Sequence, residues 1–435
     1  MTPLAGAYAE KPFWWDEAGQ EVPPEQRPPD SADAVIIGGG YTGVVAGWEL
    51  ARRGQVAVVL EQEHLGFGAS TRNGGMVLPG FKAGLPTLLR KFGERGLALA
   101  RYSLDAVGLV ERTIAQEGID CGYQPSGHLE LAYRPSHAAS LKASLPAQAR
   151  VFGDQVRFLE RDQLEAEIGS TAYHGGLLVE VGGGLQPAKY HAGLVRAARR
   201  AGAILCERTP ATGLTRSPGG GFRVVTPRGS VAAAHVLLAT NGYTTGLVPA
   251  LQRRVVPVGS YLIATEPLEP ALARTLSPRG QMFFDTKNFL YYWRLLEDHR
   301  MVFGGRASFA PTTIARARDW LYRAMLRVHP QLGGVRVTHA WGGRLGFSLD
   351  RMPHIGRIDG ITYALAYCGT GVAMATAFRP AGRRLHQRRA AAPLPDHGLP
   401  TGPAVSRHAL VLTGGWSLLP VARRHDLGSI PAGAT

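Results

Sequence analysis

A chain of 435 residues, 45% hydrophobic and 19% charged, has the composition of a soluble globular protein with room for two domains or one large core. No run of about 18 uncharged apolar residues occurs, which argues against a membrane span, and Glu10, Lys11, Asp16 and Glu17 leave no apolar signal-peptide core. The net charge of +15 does not point to nucleic acid: eight arginines lie beyond Phe378 against only Asp396 and Asp426, and elsewhere no basic stripe alternates with aromatics.

Residues 1–30 are Pro-rich and read as an irregular arm carrying Phe13, Trp14 and Trp15. Its tryptophans either plug a surface groove or stand near a substrate entrance. Ala34 to Ile37 is a short β-branched run that predicts a buried parallel strand. Gly38, Gly40 and Gly43 follow at G-x-G-x-x-G spacing and open a predicted helix, Val44 to Arg53, that stops at Gly54. A second strand, Ala57 to Leu60, ends at Glu61. The first glycine permits a sharp turn, the second a close approach of backbone to pyrophosphate, and the third close packing of helix on strand. The helix N-terminus offers free N–H groups to the pyrophosphate, and Glu61 is placed to accept from a ribose 2′-OH. A carboxylate there disfavours a 2′-phosphate, so NADP is the poorest candidate. Together these residues predict a dinucleotide site.

The polar, Gly-rich segment 64–76 follows, and predicts a loop whose backbone N–H groups wrap a polar cofactor, with Ser70 and Arg72 within reach of phosphate oxygens. Pro86 to Glu117 reads as two helices broken near Gly93 and Gly96, then short strands at Gly127 to Tyr133 and Leu177 to Val181 flank a helical piece, Arg161 to Ile168. This stretch is not βαβ in pattern. After Gly182 to Tyr190 a helix runs to Arg199–Arg200, and strands at Ala203 to Glu207, Phe222 to Thr226 and Val231 to Thr240 return to α/β character. Val255 to Ala307 predicts an antiparallel sheet covering a ligand face, and Ile314 to Val328 a helix. Tyr261, Tyr291, Tyr292 and Trp293 either stack near a bound ring or pack within that sheet. A last strand, Ile361 to Tyr367, feeds a helix through Gly369-Thr370-Gly371-Val372, and no further strand with a terminal acid follows. Cys121, Cys206 and Cys368 lie far apart with no C-x-x-C pair, which fits a reducing, cytoplasmic compartment and gives no metal site.

The GGGYTG unit, the GASTRNGG loop, GGGLQPAKY, LLATNGY and AYCGTGVAMAT, in that order, resemble the D-amino-acid-oxidase-like FAD-dependent oxidoreductases. Within them the chain is most similar to the bacterial group that includes gamma-glutamylputrescine oxidoreductase and relatives of glycine and sarcosine oxidase. The resemblance covers about residues 10 to 377. It implies an α/β (α+β overall) architecture, with a Rossmann-type FAD-binding domain (31–80, 182–250 and 338–377) interleaved with an antiparallel-sheet substrate domain (81–181 and 251–337). It implies that Gly38, Gly40 and Gly43 hold the pyrophosphate and Glu61 the adenosine ribose. Ser70, Arg72, Asn73, Gly74 and Gly75 line pyrophosphate and flavin, Ala211 meets the adenine, and Gly369, Thr370, Gly371 and Val372 lie at the flavin N1–C2 edge. The implied chemistry is hydride transfer from the carbon of a C–N bond to flavin N5, then hydrolysis of the imine; no acid–base dyad is required.

Three departures shape the expectations. No cysteine lies between Trp341 and Gly356, so the FAD is expected to be non-covalent. The lysine that assists oxygen reduction in sarcosine-oxidase relatives is replaced near Val302, which leaves oxygen or another electron acceptor open. The carboxylate-clamping arginine of amino-acid oxidases falls one position from Arg344, which is either that clamp for an amine or amino-acid substrate or a structural ion-pair partner. After Ala377 the family pattern gives way to a tail, 378–435, without Lys or Glu. A shifted reading frame leaving a disordered end, with low FAD occupancy and lost turnover, stands against a genuine basic tail for an acidic partner. A tRNA-modifying relative of the same fold and a flavin-storage module are the remaining alternatives.

Overall fold

The β-branched run at Ala34 to Ile37 is the end of a strand, Ser31–Ile37, in a computed structural model that describes residues 2–18, 26–308 and 312–377. It pairs in parallel with Ala57–Leu60 on one side and Gly229–Leu238 on the other. The sheet extends outward through Ile204–Cys206 at one end and the antiparallel pair Phe222–Thr226 and Gly213–Arg216 at the other. Ile361–Leu365 joins in parallel beside Leu237 and Leu238, so Gly229–Leu238 separates this C-terminal strand from Ser31–Ile37. The crossover helix, Tyr41–Ala51, is buried along its whole length, which is why its sequence lacks a polar stripe. Its one carboxylate, Glu49, is held by Arg52 and Arg53 at 3.3 and 3.4 Å.

Among the described residues a second, nine-stranded sheet runs in the order Leu4–Ala9, Val337–Phe347, Val256–Pro267, Arg300–Ser308, Tyr291–Leu295, Met282–Asp285, His128–Leu131, Gly176–Val179, Val156–Leu159. Its side chains alternate between faces with the two-residue period of strands. Ile263, Phe303, Trp293, Phe283 and Leu129 lie in one apolar cluster with the helix Ile314–Val328, through Leu321, Ala324 and Met325. Each fully buried side chain of that kind contributes roughly 1.5–3 kcal/mol. The opposite face carries Leu262, Tyr292, Phe284 and Glu130 and looks into a cavity.

Several expectations need correction. The arm is not irregular: Leu4–Ala9 is an edge strand on Val337–Phe347, and Phe13–Ala18 is a short helix whose Trp14 is fully buried. The segment 338–347, grouped with the nucleotide unit from sequence, hydrogen-bonds within the nine-stranded sheet instead. The structure adds an 18-residue helix, Pro135–Phe152, which carries Pro146 and buries only Leu141 and Ser144, so its sequence has no apolar periodicity that marks a helix. The break between the two helices after Leu85 falls at Gly93, whose φ of +55° suits glycine; Gly96 lies inside the second helix. The tail from Phe378 onward lies outside the described residues. No helix among the described residues is long and apolar enough to cross a membrane.

Candidate functional site

The turn between Ser31–Ile37 and Tyr41–Ala51 is set by two close approaches. Gly38 has φ +112°, and a Cβ there would lie 2.8 Å from the Ala239 carbonyl oxygen. A Cβ on Gly43 would lie 1.8 Å from the Gly38 carbonyl oxygen, so only glycine lets the helix sit against the turn. Ser70 Oγ accepts from the Tyr41 N–H at 2.9 Å, and the following N–H groups, on Thr42 and Gly43, point out of the helix end. The Gly39 carbonyl is fixed by His191 Nε2 at 2.9 Å, and burial pushes the His191 imidazole down to about 4, so the ring is neutral and its Nε2–H donates.

Glu61 ends the second strand with its carboxylate facing the same cleft. Oε2 accepts from the Gly39 N–H at 2.7 Å and Oε1 from the Glu63 N–H at 3.0 Å. Burial raises its pKa, and the backbone donors from Glu63, Gly39 and Gln62 oppose that rise. Along the cleft lie Gly38, Gly40, Ser70, Asn73 and Ala211, and at its other end Gly369, Gly371 and Val372. A carboxylate at one end, a bare helix N-terminus in the middle and small backbone-rich turns beyond suit an extended dinucleotide.

The cleft opens into a second cavity, of about 310 Å3, at Asn73, Leu345, Gly369 and Val372, which line both. Gly74, Thr370 and Tyr292 line this second cavity, with Tyr292 Oη 3.0 Å from Ser260 Oγ. Gly74 lies against the Tyr292 ring, where a Cβ would come within 3.0 Å. The loop is held by its own side chains: Asn73 Nδ2 donates to the Ala69 and Ser70 carbonyls, and its Oδ1 accepts from Gly75 N–H. Three indole N–H groups hold it from outside, Trp15 to Thr71 Oγ1 at 2.8 Å, Trp341 to the Arg72 carbonyl at 2.9 Å, and Trp14 to the Asn73 carbonyl at 2.8 Å.

Six expected residues stand elsewhere. Gly43 and Gly75 touch neither cavity; a Cβ on Gly75 would lie 2.1 Å from the Leu185 carbonyl oxygen, so both glycines serve packing. Arg72 lies not on the nucleotide cleft but on the second cavity, its guanidinium donating to Phe67 and Gly342 carbonyls between the rings of Trp15 and Phe67. Tyr261 faces the other side of the sheet, beside Gly342 and Ile314, and donates toward the Thr312 carbonyl at 3.4 Å. Arg344 is exposed over the Tyr243 ring and lines neither cavity. Trp293 is stacked in the core between Phe283 and Phe303. Sequence reasoning missed His128, Glu130 and Lys82, which all line the second cavity. The alternation in His128-Leu129-Glu130-Leu131 marks a strand with one polar face, but nothing local says what that face meets.

A nucleotide cleft at the ends of parallel strands, opening under a nine-stranded mixed sheet, suits a flavin-dependent oxidoreductase, and the chain belongs to the FAD dependent oxidoreductase family (DAO), whose model matches residues 33–379. Among its relatives is the gamma-glutamylputrescine oxidoreductase of Escherichia coli, 31% identical over 345 residues, with 79% of this chain and 80% of that protein covered. The glycine oxidase structure from Geobacillus kaustophilus superposes with a TM-score of 0.66 at 22% identity, covering 80% of this chain and 92% of the other. An L-proline dehydrogenase structure from P. horikoshii gives 0.67 at 21% identity, covering 80% and 91%. These likenesses show the fold.

Proposed function

We propose that this protein oxidises the C–N bond of a small amine or amino acid in the second cavity, with non-covalent FAD along the cleft. The observation that supports this reading is the junction of the two cavities at Asn73, Leu345, Gly369 and Val372, which brings a nucleotide cleft against a small-molecule cavity. FAD, when bound, supplies the acceptor for a hydride from the carbon bearing nitrogen, and the resulting imine is hydrolysed by water. The chain's own part is to bind, orient and exclude water. The first-turn N–H groups after Gly40 hold the pyrophosphate, Glu61 the ribose, Ala211 the adenine, and the turn Gly369 to Val372 the ring edge. Tyr292, Leu262 and Phe284 close one side of the reacting centre. The parallel sheet then serves the nucleotide and the nine-stranded sheet the substrate. The electron acceptor is oxygen or another carrier; Val302 is buried in a cluster with Trp14 and Trp341 and offers no charge for oxygen reduction. The cysteine usage supports a cytoplasmic setting.

Protein purified with excess FAD is expected to be yellow, to bleach anaerobically with an amine or amino acid, and to release all flavin on acid precipitation. Flavin remaining on the acid pellet would contradict non-covalent binding, and a colourless folded protein with no FAD affinity would end the reading. Peroxide production during aerobic turnover separates an oxidase from a dehydrogenase.

Glu61 gives a pH test of the same site. Ribose hydroxyls donate to its carboxylate, so binding favours the ionised form and lowers its pKa from the raised value of the free protein. FAD affinity is therefore full above that raised value and falls as pH drops through it. Glu61→Gln is expected to weaken FAD by about 1.5–3 kcal/mol and to flatten that acid limb in a fluorescence titration. An acid limb unchanged in the variant would assign it to another group.

A further inference from the structure

The second cavity is walled by one row of directly paired residues crossing the nine-stranded sheet. Leu262 stands opposite Gly304, Gly304 opposite Tyr292, Tyr292 opposite Phe284, Phe284 opposite Glu130, and Glu130 opposite Leu177. Paired residues in register share a face, and all but Gly304 line the cavity. Gly304 makes room, since a Cβ there would lie 2.4 Å from the Tyr292 ring. Glu130 is thus two strand spacings, about 10 Å, beyond Tyr292, on the side away from the nucleotide cleft.

Among the described residues Glu130 is the only carboxylate on this cavity, and its neighbours in the row are apolar. Burial raises its pKa, and the positive charge of Lys82, at the cavity wall, opposes that rise. His128, on the same strand face, is fully neutral: burial pushes it down to about 4 and its Nδ1 lies 3.2 Å from the Val181 carbonyl oxygen. Phe284 stacks on that imidazole, with ring centroids 5.7 Å apart. A ligand filling the cavity expels water from Glu130, and a carboxylate among apolar walls is then stable only against a cation or strong donors.

We propose, building on the amine-oxidation reading, that Glu130 selects substrates with a second, protonated nitrogen about 10 Å from the reacting C–N bond. The remote ammonium meets the Glu130 carboxylate while the reacting end lies beside Tyr292 at the mouth of the nucleotide cleft. Lys82 opposes this selection, because it competes as the partner of Glu130 and repels the incoming cation.

The test uses FAD-loaded protein and two probe series, α,ω-diaminoalkanes and the n-alkylamines of matching length. Anaerobic flavin reduction is expected to saturate at about tenfold or more lower concentration for the best diamine than for its monoamine, the range of a charged hydrogen bond. Glu130→Gln is expected to erase that difference, raising diamine saturation to the concentration of the matching monoamine, while FAD content stays unchanged. Lys82→Met is expected to shift diamine saturation the opposite way, to lower concentration, which loss of a merely structural residue does not do. A thermal-unfolding titration with the flavin already photoreduced reads diamine binding without turnover, and the diamine-specific shift should vanish in Glu130→Gln. A preference retained in Glu130→Gln, or absent from the wild type, or unmoved by Lys82→Met, would overturn the proposal. If no amine of either series bleaches the flavin, the amine-oxidation reading fails, and the thermal titration still decides whether Glu130 holds a cation.

Discussion

Gly43→Val is expected to abolish FAD binding and, at higher temperature, the fold of the nucleotide unit, while Gly219→Ala leaves both unchanged. The contrast is geometric. A Cβ on Gly43 would sit 1.8 Å from the Gly38 carbonyl oxygen and 3.1 Å from its carbon, backbone atoms that have no rotamer to give. Gly38 in turn is fixed from the other side by the Ala239 backbone and by its own φ of +112°. The helix Tyr41–Ala51 would have to move off the strand, against a core that includes Ile36, Val44, Val45 and Val59. Overpacking a core costs about 1–3 kcal/mol when side chains can yield, and more is expected where backbone is the obstacle. The same displacement turns the first-turn N–H groups away from the pyrophosphate. Gly219 has nothing within 4 Å of its Cβ position and no left-handed φ, so it controls for the loss of a glycine as such. Equilibrium dialysis against FAD, alongside thermal unfolding of the free protein, checks the pair. A Gly43→Val protein that keeps wild-type FAD affinity would show that the turn is not where the pyrophosphate lies.

The nucleotide unit was legible because its signals are local. Strand, three glycines, helix, strand and acid fall within 34–61, one βαβ unit that can be read without knowing what packs on it; Ala57–Leu60 and Ile314–Val328 appear with the boundaries the sequence implies. The second cavity was not legible, because its wall is a row of residues drawn from strands at 130, 177, 262, 284 and 292. Which aromatic faces the cavity depends on register parity, and a one-residue slip exchanges the faces. Tyr261 pairs with Gly305 and Gly342 and points toward the helix Ile314–Val328, whereas Leu262, in the next row, pairs with Gly304 opposite Tyr292. Nothing in either tyrosine's neighbourhood distinguishes them. Arg344 was misplaced for a similar reason: its strand reaches the cavity through Gly343 and Leu345, the residues on either side. The arm was read as irregular because its order comes from Val337–Phe347, more than three hundred residues away.

That arm carries the second large effect. Trp14→Ala is expected to cost roughly 3–5 kcal/mol of stability, the range for removing a fully buried large aromatic. It should also weaken FAD binding, although Trp14 lines neither cavity. Trp14 packs edge-on against Trp341 at 6.0 Å, and the two indoles donate to successive carbonyls, those of Asn73 and Arg72. Trp15 donates to the residue before them, Thr71, whose own hydroxyl donates to the Gly66 carbonyl. Three donors on three consecutive residues pin the loop from outside, and of those three Asn73 lines both cavities. Loss of Trp14 leaves the Asn73 carbonyl without its indole donor and opens a void against Trp341, so the loop gains freedom that FAD binding must remove again. Trp15→Phe removes that hydrogen bond, worth about 0.5–1.5 kcal/mol, and the five-membered half of the indole but keeps an aromatic ring beside Arg72, so it is expected to cost less than Trp14→Ala. The deciding comparison is the FAD dissociation constant beside the unfolding midpoint of the cofactor-free protein. If Trp14→Ala lowers the midpoint but leaves FAD affinity at the wild-type value, the arm supports the second sheet alone and the indole contacts to 71–73 do not shape the cofactor site.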